Sequence, residues 1–289
     1  MWEEHIINNL KNKVAVITGA GSGIGRGTSL RLAEVGMDIA IADVDITGAQ
    51  QTAEMVRELG RKAIVVKADV SNREEVQHLA DVVVQELGVP TVLFNNAGVV
   101  TFKDIALLTE GDWSWVMGVN LDGVINGVIS FLPLMVASGK GGHIVNTASH
   151  CGLFPSRGLS SYSASKYAVV GLSEHLRGDL ADIQIGVSVL CPGAVATGIV
   201  HAERNRPEIY GGPQIEPTDS KDKIGSSSYR NSDQVVSEGI DPKLVGEMVL
   251  QGIVNNEPYI VTSLESKGPV EARLKAIREA YKKPFVVNR

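Results

Sequence analysis

The sequence predicts an α/β fold, a doubly wound parallel sheet of seven strands with helices on both faces. Short β-branched runs alternate with helical stretches along the whole chain, as in successive βαβ units. The runs are apolar throughout instead of alternating, so both faces of the sheet are covered. The first run leads directly into a glycine-rich turn, at the end of a strand where such sheets place their ligands.

The first strand is VAVIT (residues 14–18), followed by the glycine turn and a helix carrying Ile24, Leu30, Leu32 and Val35. DIAIAD (38–43) is the second strand, and a helix over 47–59 ends before Gly60. AIVVKAD (63–69) is the third. Ser71, with Glu74 three residues on, forms a capping box that opens the next helix. TVLFNNAG (91–98) is the fourth strand. A long helix over 112–138 should bend or break at Pro133. HIVNTAS (143–149), a helix over 161–181, and IGVSVL (185–190) follow. Asp241 and Pro242 open a helix to Asn255, and YIVTS (259–263) closes the sheet. No internal repeat interrupts this order.

The chain has 289 residues, 44% of them apolar, which fits one domain with a sizeable core. Its formal charge of −6 disfavours nucleic acid and anionic membrane surfaces as partners. Two cysteines, Cys151 and Cys191, make neither a disulfide framework nor a metal site, and no metal is expected. Glu3 and Glu4 stand where a signal peptide would carry positive charge, so a cytoplasmic protein is expected. The uncharged stretch 123–139 holds Asn126, Ser130 and Pro133 and reads as a buried helix, not a membrane span.

TGAGSGIG (18–25) lacks the strict G-x-G-x-x-G spacing but carries Gly19, Gly23 and Gly25 between strand and helix. Glycines let the backbone approach a pyrophosphate that sits on the free amides of the helix start. Asp43 ends the second strand 20 residues after Gly23, where a carboxylate accepts bonds from the adenosine ribose. Val44 and Ser22 offer no charge to a 2′-phosphate, so NAD is the expected cofactor. Tyr162 and Lys166 lie four apart on one helix face, and an ammonium near a phenol favours the phenolate. Ser149 ends the fifth strand, where its hydroxyl could hold a substrate oxygen.

Together these residues resemble the short-chain dehydrogenase/reductase family over about residues 10–263. The matching motifs are TGAGSGIG, Asp69-Val70, NNAG (95–98), Asn120 in GVNLDG, Ser149 in IVNTAS, YSASK (162–166) and PGAVAT (192–197). The resemblance implies a Rossmann fold and a dinucleotide cleft at the carboxyl ends of the strands. It makes Tyr162 the general acid–base and Ser149 the group that orients the substrate oxygen. Lys166 would tune Tyr162 and hold the nicotinamide ribose, and Asn120 would support a water-linked proton path. Gly19, Ser22, Gly23, Ile24 and Gly25 would hold the diphosphate. Asp69 and Val70 would touch the adenine, Asn96 would line the cleft, and Val195 and Thr197 would meet the nicotinamide. The expected reaction interconverts a secondary alcohol and its ketone, in a homodimer or homotetramer. A non-catalytic dinucleotide sensor is the alternative. A sugar-nucleotide epimerase would need a larger C-terminal domain.

His150 reads as a loop histidine satisfied by neighbours, Cys151 as a packing residue, and Trp113 and Trp115 as core or subunit contacts. Residues 201–239 are polar and proline-rich and read as a lid inserted in the domain. Residues 265–289 read as a helical extension. The lid's basic residues, Arg204 and Arg206 among them, are offset by acidic ones, so no anionic substrate is demanded. Stretches 118–145 and 238–262 resemble aryl-alcohol Cα-dehydrogenases, which implies a bulky apolar or aromatic small-molecule substrate.

Overall fold

The computed structural model describes residues 9–214 and 222–282. Seven parallel strands form one sheet in the order β3-β2-β1-β4-β5-β6-β7. They are β1 Val14–Thr18, β2 Asp38–Asp43, β3 Ala63–Lys67, β4 Val92–Asn95, β5 Gly142–Thr147, β6 Ile185–Cys191 and β7 Tyr259–Val261. The order reverses between β1 and β4, and the crevice at that switch point lies at the carboxyl ends of the strands.

Alternate residues of each strand feed two cores. Ala15, Ile17, Ile39, Ile41, Val92 and Phe94 face helices α1 Gly23–Glu34, α2 Ile46–Glu58 and α8 Pro242–Val254. Val14, Val16, Ala40, Ala42 and Leu93 face α3 Arg73–Glu86 and α5 Gly123–Ser138. Sheets buried on both faces show such continuous apolar runs. Helices α1 and α8 cross at two glycines: a Cβ at Gly27 would collide with the Pro242 carbonyl, and one at Gly246 would stand 2.7 Å from the Gly27 carbonyl.

Two local expectations are corrected. The cap of α3 is Asn72, which accepts from the amides of Glu74 and Glu75, because the Ser71 hydroxyl already donates to Asp69 (2.7 Å). Pro133 sits inside α5 without ending it. The irregularity falls instead at a π turn, Gly118–Asp122, between α4 Glu110–Met117 and α5. Within the stretch read as a lid, 201–239, the described residues carry helical structure. Short helical turns at Ile199–Asn205 and Glu208–Tyr210 lead to α7 Lys223–Ser237. Residues 215–221 of the lid and 283–289 of the extension lie outside the described residues. The extension contains α9 Lys267–Tyr281, which buries none of its own residues.

The stretch Glu110–Ser138 is long and apolar enough to cross a membrane by length and composition. In this fold its α5 portion buries Val124, Phe131 and Met135.

Candidate active site

The glycine turn is built by close approaches. Gly19 and Gly23 have positive φ (63° and 51°), and a Cβ at Gly19 would lie 2.7 Å from Ala97 Cα. A Cβ at Gly25 would collide with the Gly19 carbonyl, and one at Gly23 would stand 2.9 Å from Thr197 Cγ2. Ser22 caps α1 in extended conformation with no side-chain bond, and the amide of Arg26 is the first to bond Ser22 O. The amides of Gly23, Ile24 and Gly25 are thus left for an anion. The turn is tied to β4: Asn96 Nδ2 donates to the carbonyls of Thr18 (2.9 Å) and Gly19 (3.2 Å), while Thr18 Oγ1 accepts from the amides of Asn96 and Ala97. This narrow, amide-lined cradle fits a dinucleotide diphosphate.

At the end of the cleft beside β2, Asp43 accepts from Gly21 N (2.7 Å) and Asp45 N (2.9 Å). Burial raises its pKa, opposed by the amides of Asp45 and Gly21. Asp69 and Val70 line the same cleft, and Asp69 Oδ1 accepts from the Ser71 amide and hydroxyl.

At the other end, α6 Ser160–Asp179 carries Tyr162 and Lys166 on one face. Lys166 is buried, and its Nζ donates to the Thr147 carbonyl (2.8 Å) and lies 5.6 Å from the Tyr162 ring centroid. Burial lowers its pKa to about 8. Burial also raises the Tyr162 phenol, with the Cys151 thiol adding to the rise and a hydrogen bond with Ser149 opposing it. The ammonium is turned to Thr147, and the loss of solvation governs the phenol.

Ser149 Oγ accepts from the Cys151 amide (3.1 Å), which orients the hydroxyl toward Tyr162. Asn120 sits in the π turn. Its Oδ1 accepts from Val99 N (2.8 Å), and its Nδ2 donates to Val99 O and Ser165 Oγ (both 3.0 Å). Lys166 Nζ and Asn120 Oδ1 face each other across Gly98, each 3.4 Å from where a Cβ would stand there. One cleft of about 1390 Å³, counting its open mouth, spans from Asp43 to Tyr162.

The short chain dehydrogenase family matches residues 13–208 of the chain. The chain belongs to the short-chain dehydrogenase/reductase family. It is 34% identical over 273 residues to C alpha-dehydrogenase of Sphingobium sp. (strain NBRC 103272 / SYK-6), covering 94% of this chain and 87% of that protein. It is 38% identical over 191 residues to 3beta-hydroxysteroid dehydrogenase 2 of Eggerthella lenta, covering 66% of this chain and 74% of that one. A short chain dehydrogenase/reductase of Burkholderia phymatum in complex with NAD superposes with a TM-score of 0.89 at 38% identity, over 95% of this chain and 97% of that one. The chain is thus an oxidoreductase of the dehydrogenase type with a nicotinamide dinucleotide cofactor.

In this dehydrogenase the fold brings the sequence-selected residues to one cleft. Gly19, Ser22, Gly23, Ile24, Asp43, Asp69, Val70, Asn96, Ser149, Tyr162, Lys166, Val195 and Thr197 line it. Gly25 lies beneath the turn and Asn120 behind Gly98. Two contributors escaped the sequence. Arg26 holds the glycine turn onto α2, through the carbonyls of Gly21 and Gly48 (3.2 Å) and the side chains of Thr52 (2.9 Å) and Gln51 (3.2 Å). Trp115 is core as expected, yet it also lines the cleft, with the Arg206 guanidinium 5.3 Å from its ring centroid. No spacing signals either, because both depend on contacts between distant segments. Cys151 is a buried packing residue whose thiol donates to Ser156 Oγ (3.4 Å), and burial raises its pKa. His150 stacks on Phe154 (5.2 Å).

Proposed function

We propose that this enzyme interconverts a secondary alcohol and its ketone, prefers NAD to NADP, and takes a bulky, largely apolar or aromatic substrate. The observation that carries the reaction is the meeting of Ser149, Tyr162 and Lys166 in the cleft that also holds the glycine turn and Asp43.

When bound, the oxidised nicotinamide supplies the hydride acceptor and a positive charge that favours the phenolate. Ser149 donates its hydroxyl hydrogen to the substrate oxygen and fixes it beside Tyr162. The Tyr162 oxygen takes the hydroxyl proton as the carbon-bound hydrogen leaves with its electron pair, and the carbonyl forms. In reduction the same phenol returns the proton. Lys166 keeps a positive charge beneath the phenol and presents donors to the nicotinamide ribose. Asn120 keeps the Val99 segment fixed next to Lys166, the position from which a water-linked proton path would start.

Asp43 supports NAD: its carboxylate is held by the amides of Gly21 and Asp45, so a 2′-phosphate would meet a like charge. Trp115, Val99, Ala202 and Val236 make the inner cleft apolar, which supports the substrate class. So do the names of the Sphingobium and Eggerthella relatives, a C alpha-dehydrogenase and a 3beta-hydroxysteroid dehydrogenase. Exposed Ile129 and Val136 on α5 support a homo-oligomer.

The test is formation of reduced cofactor from NAD with a series running from propan-2-ol to aryl-substituted secondary alcohols. The reading expects kcat/KM to rise with substrate size. No turnover with any member would reject the reaction, and a flat series would reject the bulky substrate.

A further inference from the structure

Arg204 lies where the lid meets the phosphate turn. It is exposed, it lines the cleft, and its Nη1 donates to the carbonyls of Gly198 (3.0 Å) and His201 (2.7 Å). Gly198 follows Thr197, the residue that packs on Gly23 of the turn. The guanidinium is therefore anchored by one edge beside the diphosphate cradle. Its Nε and Nη2 have no acceptor among the described residues.

The charges around it are lopsided. Among the described residues lining the cleft, the cations are Arg204 and Lys166, against Asp43, Asp45 and Asp69. Lys166 is buried under Tyr162, well inside the cleft. Arg26 lies near the turn, but four acceptors hold it. Arg206, two residues beyond Arg204, is neutralised by Asp112 (2.7 Å) and Glu203 (3.4 Å). Arg204 has no ion pair among the described residues. A diphosphate in the cradle would bring two negative charges onto backbone amides alone, with this one unpaired guanidinium at the rim. Arginine's planar fork suits phosphate oxygens.

We propose that Arg204 is a lid-borne clamp for the cofactor diphosphate, so that dinucleotide binding fastens the Ile199–Asn205 segment over the cleft. The proposal rests on the dinucleotide reading of the cleft and adds a residue and a coupling to it. The lid would then close on the cofactor before it closes on the substrate.

Calorimetry with ADP-ribose, and displacement of NADH by adenosine, separate the diphosphate contact from the nucleoside contact. In Arg204→Gln, affinity for ADP-ribose and NADH should fall about tenfold, the scale of one charge-assisted bond, while adenosine changes less than twofold. Arg204→Lys, which keeps charge without the fork, should fall between the two. The difference should shrink at high salt. Hydrogen exchange supplies a second readout: ADP-ribose should slow the amides of 199–205 in the unmodified enzyme and not in Arg204→Gln. An ADP-ribose affinity within threefold of the unmodified enzyme, or an equal loss for adenosine, would overturn the clamp alone. If the unmodified enzyme binds neither ADP-ribose nor NADH, the dinucleotide reading fails and the clamp with it.

Discussion

At the reaction end of the cleft a full charge, Lys166, is buried beside a carbonyl and a tyrosine ring. At the lid's anchor Asp112 is buried among donors: Lys103 Nζ (2.8 Å), Arg206 Nη1 (2.7 Å), and the amide and hydroxyl of Thr109. Burial works against both charges, with opposite outcomes. Lys166 falls to about 8. For Asp112 the bonds from Lys103, Thr109 and Arg206 outweigh burial and hold the carboxyl at about 2. A compensated buried charge fastens segments together, here α4, the loop that carries Lys103 and the lid. An uncompensated one is available to a ligand or a reaction. Asp43 belongs with Lys166 in this respect, since backbone amides are its donors among the described residues.

Replacing Lys166 with Met breaks the uncompensated side. Turnover should fall about 10²- to 10⁴-fold, the usual scale of general acid–base assistance. Stability at neutral pH should hold or rise, because an unpaired buried charge is removed. The melting temperature and kcat of the variant check both. A large loss of stability would mean that Lys166 is structural.

Asp112→Asn breaks the compensated side. It leaves the buried Arg206 and the half-buried Lys103 without this carboxylate and should cost about 3–5 kcal/mol of stability. Denaturant unfolding measures it. A cost below about 1 kcal/mol, the worth of a surface pair, would remove Asp112 from this role.

The two charges also predict opposite pH effects. Asp112 has a folded pKa of about 2 against an ordinary 3.8. Its contribution is complete above 3.8 and is lost as pH falls through about 2. Lys166 has a folded pKa of about 8 against 10.5, so its cost is complete below 8 and is relieved as pH rises toward 10.5. The offset in melting temperature between each variant and the parent should change with pH in these windows alone. The smallest expected effect is at Asp43: kcat/KM with NAD should exceed that with NADP by about tenfold, or 1.4 kcal/mol. Equal efficiencies would mean that Asp43 does not face the ribose.

What could be read from the sequence follows the range of each interaction. The strands were readable because their apolar runs are continuous, and Tyr162 with Lys166 because four residues are one helical turn. The glycine turn and Asp43 were readable from strand–turn–helix order. Arg206 and Asp112 meet across 94 residues, and nothing local in either neighbourhood announces it. The capping box at Ser71 was misplaced because Asp69 competes for its hydroxyl and Asn72 offers an equivalent cap. The π turn at Asn120 was assigned to Pro133, since proline is the visible helix breaker and the π turn has no residue signature. The burial that raises the Tyr162 phenol has no sequence signal either, because sequence gives adjacency but not desolvation.

In the proposed reaction Tyr162 moves the proton, in a cleft that binds NAD independently of it. Tyr162→Phe tests this directly, with NAD affinity measured by calorimetry and turnover measured on the best alcohol of the series. NAD affinity close to the parent's with turnover reduced at least about 10²-fold is the predicted result. Retained NAD affinity beside near-parental turnover would contradict it.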